Sequence, residues 1–269
     1  TAYAIEHFLK AFNWDAKTRD FVLSAKPGEI SVKEFDYKAV NAVVYQENGV
    51  TIRSLPAIHA GDGPVSFILE YAGLKVVIGG DTFPNKWFIK YATGADVAVH
   101  ETFLTPTDLV KFYGQSPAQA IGVGTQIHTS PPAFGKVMSM IKPRMAVAYH
   151  FFKDFDTTGD ILERVRTTYD GPLSLAEDYM VWNITKDKIT TRMAEVDHHT
   201  WAPPLASEAK LPQEGDRANY GKETKVPVEA MEYSDFIKNG RWGGVDEVLR
   251  GVYEEASEAL GREFKYPSK

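Results

Sequence analysis

"VVIGGDTFPN", residues 76–85, is the stretch on which the reading of the fold turns. An apolar run ends in two glycines, and an aspartate follows at once. The run reads as a strand over 75–79 that is buried on both faces, since nothing polar interrupts Val76–Ile78. Residues 65–71 alternate, and "AGLK" turns between the two segments, so the pair reads as a hairpin. Asp81 then stands at the carboxyl end of a strand. Open α/β sheets gather their functional groups there.

Working outward, two further apolar strands occur, one at 96–100 in "ADVAVHETF" and one in "PRMAVAYHFF". Helical spacing marks 86–92, 116–124, 131–141 and 159–168, and the third of these opens on two prolines suited to a first turn. Upstream, 3–12 reads as a helix and 37–45 and 50–58 as strands. Downstream, "LSLAEDYMVWNI" and "KITTRMA" form a pair. Apolar strands alternating with amphipathic helices give an α/β class. Near residue 197 the character changes to proline, charge and small residues without a period. The expected division is therefore 1–196 and 197–269. The second part is an irregular extension that ends in an amphipathic helix over 245–261, with Gly261 as its stop.

Composition excludes several classes. The chain has 269 residues, net charge −6 and no cysteine. Disulfides, thiolate catalysis and Cys-ligated zinc are ruled out. Mild acidity argues against a general nucleic-acid or anionic-membrane binder. No apolar run approaches the ~20 residues of a membrane span.

The histidines share a context. His59 ends "LPAIH", His100 ends "DVAVH" and His150 ends "MAVAYH", while His128 precedes a helix in "TQIHTSPP". With Asp81 they form a set of strand-end nitrogen and oxygen donors, the type that binds zinc and similar divalent cations. His7 stands alone on the first helix. His198 and His199 are adjacent, a tail feature or an auxiliary metal site.

In order, "PAIH", "GPVSFILEYAGLKVVIGGDT", "ADVAVHETF", "IHTSPPAFGKV" and "AVAYHFF" resemble the second half of the metallo-β-lactamase fold, in its ribonuclease Z / arylsulfatase-like branch. The resemblance covers roughly residues 40–185. It implies an αββα sandwich, here incomplete at the N-terminus, and one or two Zn2+ ions, with Mn2+ or Fe as alternatives. It also implies residue roles: His59 and His150 ligate metal and Asp81 bridges two metals. Glu101 orients His128, which acts as general acid toward the leaving group. Asp81 is thereby part of the catalytic set. His100 takes a structural part.

The family's H-x-H-x-D-H motif is absent from these residues. The expectation is that the chain is the C-terminal part of a longer protein, and that alone it is metal-poor or inactive. The implied function is a metal-activated hydroxide attacking an ester-like bond of a small substrate. Phe83 and Phe151 are candidate walls of an apolar pocket, which suggests an aromatic substrate. The alternatives are RNA phosphodiester cleavage, a dehalogenase on the same scaffold, and a metal-free binding protein. Only 21 residues separate His59 from Asp81, too few for a hairpin plus an RNA-gripping arm, so nucleic acid is not the expected partner. No membrane partner is expected, and a homodimer is.

Overall fold

A computed structural model describes residues 2–13, 32–195 and 239–266. The His198–His199 pair and most of the proline-rich extension lie outside the described residues. The chain divides into two compact units, one of Thr1–Asp36 with Glu195–Glu229 and the other of Tyr37–Ala194 with Ala230–Lys269.

In the first unit, helix α1 (Ala2–Ala11) buries none of its residues. His7 donates from Nδ1 to the Tyr3 carbonyl at 2.8 Å, and its ring lies 3.8 Å from that of Tyr3. These contacts are local to the helix.

The second unit is a mixed α/β layer structure. Seven strands form one sheet in sequence order: β1 (Ala42–Glu47), β2 (Val50–Pro56), β3 (Val65–Tyr71), β4 (Leu74–Ile78), β5 (Val97–Glu101), β6 (Met145–Tyr149) and β7 (Leu173–Leu175). The first four pair antiparallel and the last four parallel. The expected 37–45 strand starts later, at Ala42. Both hairpins turn on two successive residues with positive φ, Asn48–Gly49 and Ala72–Gly73. Such turns match the right-handed twist of the strands they join. A separate hairpin, β8 (Met180–Ile184) with β9 (Ile189–Met193), makes a second sheet.

Helices supply the parallel crossovers. Between β4 and β5 lies α2 (Lys86–Ala92), capped by Asn85. Between β5 and β6 come α3 (Pro106–Tyr113), α4 (Pro117–Gly122), a π-helical turn at Val123–Ile127, and α5 (Pro131–Ile141). After β6 comes α6 (Phe155–Arg166), started by a capping box on Asp154 and Thr157. The α3 helix was not assigned from sequence. It is short, but its start is written in Thr105, Pro106 and Asp108, a reciprocal capping box with proline in the first turn.

One sheet face packs on helices. Leu55, Ile68, Val77, Ala98, Ala146 and Ala148 share a buried core with Phe88, Phe134, Val137 and Met138. Strand register places Tyr45, Ile52, Leu69, Val76, Val97 and Met145 in one row on the opposite face. That apolar row is unevenly covered, since Tyr45 is 43% exposed and Val97 2%. Among the described residues no second large sheet is stacked on it.

Helix α7 (Asp246–Ala259) closes the unit. Its Leu249, with Val245 just before it, lies in the same core as the sheet. Arg164 on α6 grips Glu255 with two bonds of 2.7 and 2.8 Å. No helix among the described residues is long and apolar enough to cross a membrane.

Candidate metal centre and acid–base pair

The loop after β4 is fixed before Asp81 is reached. The Gly79 N–H donates to the Val99 carbonyl at 2.8 Å. Gly80 has φ +68, and a Cβ there would stand 2.9 Å from the Val65 carbonyl oxygen. Only glycine fits that backbone cheaply. Beyond Asp81 the chain is stitched to the end of β2: Ile58 N–H donates to Thr82 Oγ1 at 2.9 Å, and Phe83 N–H to the Ile58 carbonyl at 2.6 Å. His59 and Asp81 are thus carried by two segments tied to each other.

Glu101, the last residue of β5, is fully buried. One carboxylate oxygen accepts from the Thr82 N–H and the other from His128 Nδ1 at 2.8 Å, with the Thr129 N–H nearby. Burial pushes this carboxyl up, and the two backbone N–H groups oppose that. A carboxylate whose oxygens are held by these donors is suited to orienting an imidazole.

His128 is delivered by the π-helical turn. Its N–H donates to the Val123 carbonyl at 3.1 Å, an i to i−5 bond. Single π turns occur mainly at functional sites. The turn lies close against the loop before α3, where a Cβ on Gly124 would be 3.3 Å from the Leu104 carbonyl oxygen. Phe103 stacks on the His128 ring at 4.3 Å and 20°. Burial lowers the affinity of His128 for a proton, and Asp81 opposes it.

His150 follows β6 with φ +64, a conformation rare for a residue with a side chain. Its Nε2 is 3.3 Å from Asp81 Oδ2. The Tyr149 side chain lies near Asp81, and burial, then the nearby carboxylates, push its phenol up. His59 and His150 are both pushed down by burial first, with Asp81 opposing.

The structure gathers His59, Asp81, Glu101, His128 and His150 at one rim. His59 Nε2 is 3.4 Å from His128 Nε2. Ligand atoms of Glu101, His128 and His150 lie within 4.8 Å of one another. This compact trio differs from the expected ligand trio of His59, Asp81 and His150. The donor chemistry fits a divalent cation. Two ligands at about 2.0–2.1 Å from a tetrahedral ion stand roughly 3.3–3.4 Å apart, which is the spacing of the His150–Asp81 pair.

His100 is placed differently. It is buried between Phe88 and Phe134, donates from Nδ1 to the Glu101 carbonyl at 2.8 Å, and leaves Nε2 without a partner among the described residues. Burial lowers its pKa to about 4. Phe83 is not a pocket wall. It is buried, with the Arg241 guanidinium 3.7 Å over its ring, because residues from the far end of the chain cover it. Phe151 does line a cleft of about 510 Å³, with Tyr149, His150, Lys153, Ala176, Glu177 and Asp178. On the other side of His150 an aromatic series runs outward from Phe103 through Phe152 to Tyr113. The approach of Tyr149 to Asp81 and the covering segment were missed in the sequence. Tyr149 stands beside His150 in "AVAYH", while the 241–253 contacts leave no local pattern.

No family model matches the chain. It is 33% identical over 105 residues to ribonuclease Z of Mycolicibacterium gilvum (strain PYR-GCK), covering 37% of this chain and 35% of that protein. To ribonuclease Z of Mycobacterium tuberculosis (strain H37Rv) it is 35% identical over 103 residues, covering 37% and 36%. The match thus spans about a third of these curated relatives. Among solved structures it is similar to the metallo-β-lactamase fold protein YhfI of Bacillus subtilis, with TM-score 0.39, 17% identity and coverage of 52% and 51%. The order of motifs from His59 to His150 and the stretch shared with these proteins make the chain similar to the ribonuclease Z branch of the metallo-β-lactamase fold superfamily over about a third of those relatives' length.

Proposed function

We propose that the chain carries part of a metal-dependent hydrolase site that cleaves an ester-like bond. The observation that carries this is the Glu101–His128 pair, 2.8 Å apart and largely buried, facing His59, Asp81 and His150 at one rim. His59, Asp81 and His150 hold the cation, Zn2+ first and Mn2+ or Fe as alternatives. A bound cation supplies Lewis acidity and a water activated near neutral pH. Glu101 fixes His128 with Nε2 turned toward His59, and the Asp81 charge favours a proton on the imidazole, which then passes to the leaving oxygen.

Two substrate readings have support. Small aromatic esters are favoured by the Phe103–Phe152–Tyr113 series beside the site. An RNA phosphodiester is favoured by the relatives named ribonuclease Z. Those relatives run against the expectation that nucleic acid is not a partner, and that expectation is withdrawn.

The test has two parts. Zinc titration of the metal-stripped chain should show a saturable site that Asp81→Ala and His150→Ala each weaken at least tenfold. Equal zinc uptake by all three proteins would defeat the assignment. Hydrolysis of bis(4-nitrophenyl) phosphate and of a short oligoribonucleotide by the zinc-loaded protein then separates the two substrate readings.

A further inference from the structure

One segment near the end of the chain touches both walls of the site. On the Asp81 side, Trp242 N–H donates to the Pro84 carbonyl at 3.2 Å, Asn85 and Arg241 form an isolated antiparallel bridge, and the Arg241 guanidinium covers Phe83. On the His128 side, the Tyr253 hydroxyl is 2.9 Å from the Thr125 hydroxyl and accepts from Gln126 Nε2 at 3.1 Å. Thr125 also donates to the Ile121 carbonyl at 2.7 Å. Thr125 and Tyr253 are both buried, so water cannot replace these bonds cheaply.

The contact has a mechanical consequence. A π-helical turn is an intrinsically poor helix, and this one ends on the imidazole that pairs with Glu101. Its middle residues, Thr125 and Gln126, are the ones Tyr253 holds. Helix α7 is itself anchored elsewhere, by Leu249 in the core and by Arg164 on Glu255. The hydroxyl is therefore a fixed point against which the turn is held.

We propose that Tyr253 is a positioning residue for His128, acting through Thr125 and Gln126. With Arg241, it makes residues 241–253 a strut that keeps the Asp81 loop and the π turn in register. This rests on the reading of His128 as the acid of the site. The test below needs neither substrate nor metal, so failure of the strut and failure of that reading are distinguishable.

The substitution Tyr253→Phe keeps the buried ring and removes only the hydroxyl. In the full, metal-free chain the readout is solvent exchange of the His128 Nδ1–H and the His128 amide, followed by nitrogen-edited NMR. Thr125→Val attacks the same contact from the other side. Ile161→Val, a core truncation on α6, is the control for general loosening. The expected result is exchange at His128 at least tenfold faster in Tyr253→Phe and in Thr125→Val, and unchanged in Ile161→Val. Unchanged exchange in the first two would overturn the proposal, as would equal acceleration in the control. A merely structural tyrosine would lower the unfolding midpoint of all three alike and leave His128 no more exposed than the rest of the core.

Discussion

His100 gives a test of the core beneath the site whose size follows from its burial. The ring is fully enclosed between Phe88 and Phe134, and among the described residues Nε2 has no partner to welcome a proton. Burial takes its pKa from the ordinary 6.5 to about 4. Unfolding frees the imidazole to take up a proton that the folded protein refuses. The stability this neutral histidine provides is complete above pH 6.5, is lost as pH falls toward 4, and falls no further below that. At ~1.36 kcal/mol per pH unit, the loss attributable to this one group is about 2.5 kcal/mol at pH 4.5. His100→Gln removes the titration while keeping an N–H for the Glu101 carbonyl. Urea unfolding at pH 7.0, 5.5 and 4.5 should give a wild-type curve that drops faster with acid than the variant's, the gap growing to about 2.5 kcal/mol at pH 4.5. His59, His128 and His150 titrate in both proteins, so the difference isolates His100. Parallel curves would refute the argument.

Three further outcomes follow from the same geometry. Gly80→Ala forces a side chain into φ +68 and against the Val65 carbonyl, costing about 2–3 kcal/mol, which thermal unfolding should show as a drop of roughly 4–12 °C. A drop under about 1 °C would mean the loop yields freely. Glu101→Gln places an amide N–H against one of two converging donors, so it should cost about 3 kcal/mol by chemical denaturation, and no measurable loss would mean that those donors are not held there. Arg164→Met severs both bonds to Glu255 and should speed amide exchange along α7 more than along α5, a contrast that 1 M salt in the wild type should partly reproduce.

The parts legible in the sequence were those governed by local pattern. The "GGD" turn, the 86–92 helix and the apolar strands ending in His59 and His150 follow from spacing and from residues with narrow backbone tastes. Glu101 next to His100 was also readable as a point where the strand's alternation sends one side chain to the core and the next toward the loops. The approach of Tyr149 to Asp81 was not, because a tyrosine before a histidine on a strand looks the same whichever way its hydroxyl is turned. Phe83 was misjudged because a ring just after a ligand-type residue faces solvent or protein according to what covers it, and here the cover is Arg241, 158 positions away. The amphipathic stripe of α7 announced that the helix would bury one face. It carried no information on which surface would receive it.

The bond between Thr125 and Tyr253 spans 128 positions of chain. During synthesis at roughly 5–20 residues per second, the turn that carries His128 emerges about 6–25 seconds before the residue that steadies it. The sheet and its crossover helices can assemble in that interval, since their contacts are nearer in sequence. Accurate placement of His128 would therefore be among the last events of biogenesis, and a nascent chain could hold a formed sheet well before its imidazoles come into register.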